Sequence, residues 1–255
     1  MKKAPIRMNP LLFLLDEGAP ALAASFSDRV TAQTLEDAKT HGLDVAELRI
    51  DHFASREPSE VVARLGAFAD FATLATIRLA AEGGRWVESE TARLELFRAV
   101  LPHVDGVDIE LRAGELLPAL VREAHAPGKA VIASFHDFQA TPTLPELQAR
   151  VDEAVAQGAD VVKLALHASH PDDVRTLAAL TLANRDRRLI TISMGADGLV
   201  SRVFFPALGS RLTFGYLENQ TAPGQLHLAE LYALLCRFYP RFQARKDAAR
   251  TPLFQ

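Results

Sequence analysis

The sequence is poor in cysteine, in basic clusters and in long apolar runs. Its only cysteine, Cys236, excludes an internal disulfide bond and is typical of a protein kept in a reducing cytoplasm. The formal net charge is −4, and no basic stretch is present that could neutralise nucleic-acid phosphates. No apolar run reaches the roughly 18 residues that a membrane-spanning helix needs. We therefore expect a cytoplasmic protein that binds neither nucleic acid nor a membrane.

The rest of the composition is that of an ordinary globular protein, with 49% hydrophobic and 24% charged residues in a chain of 255. This length suits one large domain, which we expect to span residues 1–255. Residues 1–19 are expected to form an N-terminal extension, in which the apolar run 11–15 predicts an additional strand. Residues 240–255 are expected to form a C-terminal tail with a frayed end.

Eight strand-and-helix units follow one another along the chain. In each unit an apolar run precedes apolar residues at helical spacing. Eight such units that close on themselves form an α/β fold, the (β/α)8 or TIM barrel. An open, doubly wound sheet is the alternative, but no G-x-G-x-x-G motif follows any run, so dinucleotide binding lacks support. The predicted strands are 20–26, 43–51, 71–78, 104–110, 130–136, 159–166, 189–194 and 210–215.

The predicted strand 159–166 carries a lysine, Lys163, in an otherwise apolar run. Lysine is seldom buried without a partner, and desolvation favours the neutral amine, which is a nucleophile. Lys163 is therefore a candidate Schiff-base lysine, kept uncharged by dry surroundings and neighbouring cations. The alternative is a lysine whose stem packs while its head reaches water, and this stretch alone favours that alternative.

Other polar residues stand at or just after the carboxyl ends of the predicted strands, where a TIM barrel has its active site. Each has a structural alternative: Glu47 and Arg49 could pair with each other, and His136 could be a rim histidine. The convergence of so many on one rim nevertheless favours a functional site. These residues are Glu47, Arg49, Arg78, Glu82, His136, Lys163 and Arg202.

The chemistry available to this set is limited. No serine or cysteine nucleophile is paired with a base, and no spacing of histidine and aspartate is typical of a metal site. An amine, an imidazole and anion-binding guanidinium groups remain. They suit an imine mechanism on a small anionic ketone. The iminium acidifies the neighbouring C–H, and an imidazole with an ordinary pKa of roughly 6.5 removes the proton.

Six segments in order along the chain resemble those of the type I 3-dehydroquinate dehydratases, and the resemblance covers residues from about 20 to 226. The family has an E-x-R-x-D signature, an R-x(3)-E-G-G segment, an S-x-H-[DN]-F segment and a K-[IL]-A segment. It also has a segment that ends in an arginine and a lid loop. The corresponding residues here are 47–51, 78–84, 134–138, 163–165 and 194–202, with 213–215 for the last strand and 222–225 for the lid loop that follows it.

The resemblance implies a reaction and its catalytic groups. The reaction is the third step of the shikimate pathway, a syn elimination of water from 3-dehydroquinate that yields 3-dehydroshikimate. Lys163 would form an imine with the C3 ketone. His136 would remove a C2 proton and then protonate the departing C1 hydroxyl, and Glu82 would hold the histidine ring.

The resemblance also implies binding residues and an assembly. The carboxylate would be bound by Arg202 and Gln225 with the lid, in which Thr221 supplies a hydroxyl where serine is commoner. Family members are commonly homodimers without a cofactor, and an N-terminal β-hairpin often closes the bottom of the barrel. The remaining substrate-binding residues would be Ser25, Glu47, Arg49 and Arg78.

Three further departures from the family pattern lie near the site without removing a catalytic group. Ile192 replaces a methionine, and His167 and His170 follow the lysine strand where Met-Pro is common. Two other interpretations stay open. One is another lysine-imine lyase, such as a class I aldolase, which would need no carboxylate-binding Arg202. The other is a barrel that has kept only a binding or assembly role.

Overall fold

The computed structural model describes residues 8–220, 222 and 224–250. Eight strands alternate with helices, as the apolar runs predict. The strands are β1 (Ala21–Phe26), β2 (Val45–Arg49), β3 (Ala72–Thr76), β4 (Gly106–Glu110), β5 (Ala130–Asp137), β6 (Val161–His167), β7 (Leu189–Met194) and β8 (Leu212–Gly215). The α-helices are α1 (Pro10–Asp16), α2 (Ala32–Thr40), α3 (Pro58–Leu65), α4 (Glu90–Val100), α5 (Leu116–His125), α6 (Leu144–Ala156), α7 (Pro171–Ala183), α8 (Ser201–Leu208), α9 (Leu228–Phe238) and α10 (Pro240–Arg250).

The strands form one parallel sheet in the order β7-β6-β5-β4-β3-β2-β1-β8. The sheet closes between β7 and β8, where a parallel bridge joins Leu189 to Ser210 and the Arg211 N–H donates to the Leu189 carbonyl at 2.7 Å. The predicted (β/α)8 barrel is therefore confirmed. All carboxyl ends of the strands consequently lie at one rim.

Apolar side chains form two layers, one on each side of the sheet. The larger layer packs the outer faces of the strands against the helices and includes Leu48, Phe97 and Phe205. The smaller layer fills the barrel, with Val45, Ile132 and Ile190 among its members. Strands buried on both faces explain why the strand segments are near-continuous apolar runs.

The N-terminal segment is a helix, so the predicted strand, and with it the expected β-hairpin, is wrong for the described residues. Asn9 caps α1 by accepting from the Leu12 N–H, and Pro10 occupies the first turn. Leu11 and Leu15, one turn apart, are fully buried with the residues that fill the barrel. A Cβ at Gly106, the first residue of β4, would lie 2.8 Å from Leu11 Cδ2. The helix thus closes the bottom of the barrel, and residues 1–7 lie outside the described residues.

The C-terminal segment is also ordered more than expected, because Pro240–Arg250 forms α10 rather than a frayed tail. Phe242 is fully buried. Arg245 donates to Asp44 at 2.8 Å, and the Lys246 ammonium also binds this carboxylate. These contacts hold a helix whose own sequence is mostly polar. Residues 251–255 lie outside the described residues.

None of the helices in the described part of the chain has the length and apolar character that crossing a membrane requires.

Candidate active site

The carboxyl rim of the barrel encloses a cleft of about 530 Å³, including its space open to solvent. Nearly all side chains that the sequence predicts for the site line this cleft. Thr221 lies outside the described residues, so its role stays a prediction. The predicted residues that line the cleft are Ser25, Glu47, Arg49, Arg78, Glu82, His136, Lys163, Arg202 and Gln225.

Lys163 lies inside the barrel because β6 alternates its side chains between the two faces of the sheet. Its side chain is only 6% exposed. The Nζ atom is 3.3 Å from Glu47 Oε1 and 3.0 Å from Asp108 Oδ2, and it lies 4.6 Å from the centre of the Phe214 ring. The nearest charged groups are therefore carboxylates, so the expectation of cations as immediate neighbours is wrong.

Two carboxylates share this amine, and each has further partners. Glu47 also accepts from the hydroxyls of Thr76, at 3.0 Å, and Ser25. Burial would raise the pKa of Glu47, but the positive charges of Lys163 and Arg49 outweigh it and lower the pKa. The carboxylate is thus charged and accepts hydrogen bonds from groups in the cleft.

His136 and Glu82 form a hydrogen-bonded pair at the ends of β5 and β3. Glu82 Oε2 is 3.0 Å from both the backbone nitrogen and the Nδ1 atom of His136. Because a carboxylate accepts, Nδ1 carries the proton and Nε2 is left with its lone pair. Burial, together with the positive charges of Arg78 and Lys163, holds the pKa of His136 well below its ordinary value. The ring is consequently a neutral base at neutral pH.

The two glycines after Glu82 explain how the turn places this carboxylate. Gly83 has φ +76°, a left-handed conformation that other residues rarely adopt. A Cβ at Gly84 would lie 2.1 Å from the Arg78 carbonyl oxygen, so only glycine allows the turn to fold back on the end of β3. The E-G-G sequence is therefore a structural requirement for presenting Glu82 to His136.

Arg78 is held in a buried network that the sequence interpretation missed. It donates to Asp108 and to Ser134 at 2.6 Å each, and it lies 3.1 Å from Glu110. Burial would raise the pKa of Asp108, but the charges of Arg78 and Lys163 lower it far below its ordinary value. Arg78 is thus no surface arginine, and through Asp108 it connects to Lys163.

A signal for the missed residues exists in the sequence. Asp108 and Glu110 interrupt the apolar run of β4, as Lys163 interrupts that of β6. Both carboxylates are fully buried. A charge inside a strand buried on both faces needs a partner of opposite charge, so the same argument that singles out Lys163 applies to them.

Arg49 does not pair with Glu47, which was the structural alternative for these two residues. Its guanidinium binds Asp51 through two hydrogen bonds of 2.9 and 2.8 Å. Asp51 also accepts from the Arg85 N–H at 3.0 Å. Arg49 and Glu47 therefore both face the cleft, each held by other groups.

Arg202 is a buried cation without an ion pair in the described part of the chain. The residue is 2% exposed, and its Nε and Nη2 atoms have no hydrogen-bond partner among the described residues. Burial lowers the pKa of Arg202 to about 10, so the group is still charged at neutral pH. A planar, unpaired guanidinium that faces a cleft suits a carboxylate ligand.

The loop after β8 covers this side of the cleft. Gln225 is 5% exposed, and its Oε1 accepts from the Ala222 N–H at 3.2 Å. Gly224 has φ +72°, and a Cβ there would lie 2.4 Å from the Gly195 carbonyl oxygen. The loop therefore lies against the loop after β7, beside Arg202.

No three histidine, cysteine, aspartate or glutamate side chains cluster as metal ligands would, as far as the chain is described. The expectation that the site needs no metal and no cofactor stays a prediction.

Known proteins share both the sequence and the fold. The model of the type I 3-dehydroquinase family matches residues 26–239. The 3-dehydroquinate dehydratase of Klebsiella pneumoniae subsp. pneumoniae is 42% identical over 202 residues, which cover 74% of this chain and 80% of its own. That of Methanococcoides burtonii is 35% identical over 219 residues, which cover 84% of this chain and 93% of its own. The structure of the type I enzyme from Clostridium difficile, solved with covalently modified comenic acid, aligns with a TM-score of 0.82 at 30% identity over 88% of this chain and 94% of its own. This chain belongs to the type I 3-dehydroquinase family.

Proposed function

We propose that this protein is a 3-dehydroquinate dehydratase that eliminates water from 3-dehydroquinate through an imine on Lys163. The observation that carries the proposal is the content of one cleft. It contains a buried amine, a neutral imidazole held by a carboxylate, and an unpaired guanidinium, Arg202. The amine suits a carbonyl group, the imidazole an acidic C–H and the guanidinium a carboxylate, all on one small molecule.

In the first step Lys163 gives up one proton and attacks the C3 ketone as the neutral amine; the carbinolamine hydroxyl then takes up that proton and leaves as water, which gives the iminium. Glu47 and Asp108, at 3.3 and 3.0 Å from Nζ, accept the hydrogen bonds of this nitrogen. The iminium that forms keeps a positive charge beside these two carboxylates. They therefore stabilise the intermediate as well as the resting lysine.

In the second step Nε2 of His136 removes a C2 proton and an enamine forms. The enamine expels the C1 hydroxyl, which leaves as water with the proton that His136 carries. Glu82 stabilises the imidazolium between these two transfers through its hydrogen bond to Nδ1. Hydrolysis of the remaining iminium releases 3-dehydroshikimate and restores Lys163.

The substrate is held at both ends. Arg202 binds the carboxylate, with Gln225 and the loop after β8, in which Thr221 would add a hydroxyl. Ser25, Glu47, Arg49 and Arg78 are proposed for the ring hydroxyls, with Arg49 and Arg78 acting through atoms not already committed to Asp51 and to the buried network. This dehydration is the third step of the shikimate pathway.

A class I aldolase is the competing lysine-imine enzyme. It would use Lys163 in the same way but has no need of a carboxylate-binding group. A guanidinium buried without a partner is costly in the free protein, so its presence favours a substrate that carries a carboxylate.

The imine is tested by adding borohydride together with 3-dehydroquinate and locating the adduct by mass spectrometry. The expected result is a reduced adduct on Lys163 that is absent without substrate. Lys163→Ala should abolish the adduct, whereas His136→Ala should still trap substrate while the appearance of the conjugated enone product, followed by absorbance, collapses. An unmodified Lys163 in the wild-type protein would exclude the imine mechanism.

We also propose that the protein is a cytoplasmic homodimer. The support is an apolar groove between α8 and α9, in which Val200, Phe204 and Phe238 expose 51–60% of their surface. An exposed apolar face of this kind is typical of an interface between protein molecules, and a symmetric dimer would cover it. Sedimentation of the wild-type protein and of Phe204→Glu tests this: the variant should sediment as a monomer, and a wild-type monomer at micromolar concentration would contradict the proposal.

A further inference from the structure

The hydrogen-bonded pair of His136 and Glu82 continues outward to a third charged group. Arg112 follows β4, and its Nε atom is 2.7 Å from Glu82 Oε1. The arginine side chain is 50% exposed at the rim, whereas the Glu82 carboxylate is fully buried. The three groups therefore form a chain from solvent to the imidazole. Nothing in the family segments of the sequence points to Arg112.

The two oxygens of Glu82 have separate tasks. Oε2 accepts from the backbone N–H and from Nδ1 of His136, at 3.0 Å each. Oε1 has no well-aligned hydrogen-bond donor among the described residues. In that part of the chain Arg112 supplies the only cation within 4.0 Å of Oε1. Arg112 is therefore the cation in direct contact with this oxygen.

Other charges face Glu82 from each strand packed against it. Burial raises the pKa of Glu82 to about 7, and the nearby carboxylate of Glu110 adds to the rise, while Arg78 and Arg112 oppose it. Arg78 is already committed to Asp108, Glu110 and Ser134. Because Arg78 binds these other groups, Arg112 is the arginine that forms an ion pair with Glu82.

We propose that Arg112 is a positioning residue for the dehydration, which favours the ionised form of Glu82 and thereby the tautomer of His136 with Nδ1–H and a free Nε2. The inference rests on the proposed function of His136 as the base. If Glu82 took up a proton, it would lose acceptor capacity toward Nδ1–H. The ring could then turn or change tautomer, and its lone pair would no longer face the cleft. Arg112 acts through Glu82 and has no contact of its own with the substrate.

The test compares four proteins: wild type, Arg112→Gln, Arg112→Lys and Arg150→Gln. Arg150 is the matched control because its guanidinium lies on the same ring as that of Arg112, 3.8 Å and 6.0 Å respectively from the centre of Phe135. Among the described residues, Glu82 pairs with Arg112 and His136 and not with Arg150. Arg150→Gln therefore removes a positive charge near Arg112 but leaves the ion pair between Arg112 and Glu82 in place.

In Arg112→Gln we expect the acidic limb of the kcat/KM profile to move to higher pH and kcat at neutral pH to fall about three- to tenfold, with KM unchanged. One pKa unit corresponds to a tenfold change, and partial exposure of the ion pair reduces the effect. Arg112→Lys should recover most of kcat, and Arg150→Gln should match the wild type. A wild-type profile in Arg112→Gln, or an equal shift in Arg150→Gln, would overturn the proposal.

A second measurement needs no substrate and is therefore independent of the proposed function. Nitrogen NMR of the imidazole ring distinguishes the two neutral tautomers of His136, with His136→Ala identifying its signals. In the wild-type protein the Nδ1–H tautomer should give way to a mixture as the pH falls through about 7, where Glu82 takes up its proton, and in Arg112→Gln the same change should occur at a higher pH. The same tautomer in both proteins at every pH would contradict the role of Arg112 even if the dehydratase activity were confirmed.

Discussion

At the scale of single residues, Lys163 and Arg202 bury a positive charge in the same cleft in two different ways. Lys163 has two carboxylates within 3.3 Å, whereas Arg202 has no ion pair among the described residues. The lysine is thus compensated in the free protein, and the arginine is compensated only when an anion binds. This difference matches a reacting amine on one side and a binding group on the other.

Replacing Arg202 with methionine should separate binding from stability. We expect KM for 3-dehydroquinate to rise about 10- to 100-fold, because hydrogen bonds to a charged group contribute about 1.5 to 3 kcal/mol. The free energy of unfolding should stay the same or increase, because an apolar side chain replaces a buried, unpaired charge. Steady-state kinetics and urea unfolding check both effects. Arg175→Met, at an exposed position, serves as the control, and a loss of stability without a rise in KM would contradict the binding role.

The acidic limb of activity should report on Glu82. Its pKa is raised to about 7, so the carboxylate is ionised above that pH and takes up a proton below it. We therefore expect kcat/KM to fall as the pH drops through about 7, while the depressed pKa of His136 keeps the imidazole neutral. Kinetics on both sides of neutrality test this. In Glu82→Gln the rate should be low and this limb should disappear, and an unchanged limb in that variant would assign it to another group.

At the scale of elements, α1 is the part of the chain whose structure differs most from the sequence interpretation. The run 11–15 is apolar throughout, which suits a buried strand as well as a buried helix. Asn9 and Pro10 before it are a helix-start signal, and Leu11 and Leu15 are spaced for one helix face. The fully buried pair then enters the barrel bottom, where a strand would have no edge to pair with.

Truncating Leu15 to alanine should show what this closing helix contributes. Leu15 is fully buried in the layer that fills the barrel, so we expect the free energy of unfolding to fall by about 2 to 5 kcal/mol. KM should not change, because the site is at the opposite end of the strands. Phe13→Ala, in the same helix but 44% exposed, is the control for urea unfolding. A Leu15→Ala protein as stable as Phe13→Ala would show that α1 does not support the barrel.

At the scale of the whole molecule, the two ends of the described chain meet below the barrel. Arg245 of α10 lies 3.1 Å from Glu17 after α1 and donates to the Pro20 carbonyl at 2.9 Å. The same arginine and Lys246 bind Asp44, which precedes β2. Helix α10, at the end of the described chain, is thus joined to the segments that precede β1 and β2.

Phe242 should be the main anchor of this connection. It is fully buried, and Phe242→Ala is expected to lower the free energy of unfolding by about 3 to 5 kcal/mol. The neighbouring Gln243→Ala should have little effect, since its side-chain amide donates to Asp247 within the same helix, at 2.7 Å. Urea unfolding of the two variants measures the difference. Equal stabilities would mean that α10 is an appendage rather than part of the closed structure.

Much of the site was predictable because its residues interrupt simple patterns. Lys163 breaks an apolar strand, and His136 and Arg78 end two others. Asp108 and Glu110 interrupt the apolar run of β4 in the same way, although only a strand was predicted there and neither residue was predicted for the site. Arg112 carries no such signal, because an arginine in a rim turn looks like any surface residue until Glu82 is placed beside it.

The amino-acid sequence by itself determined the eight alternating units, the parallel barrel and the rim where the site lies, because these follow from continuous apolar runs that alternate with apolar residues at a helical spacing of 3.6. Only the tertiary structure decided which charged side chains contact each other. Lys163 lies between Glu47 and Asp108, Arg49 turns to Asp51, and Arg202 is left for a ligand. Such choices depend on distances of a few ångströms between residues far apart in the chain, and Coulomb and hydrogen-bond energies change steeply over that range.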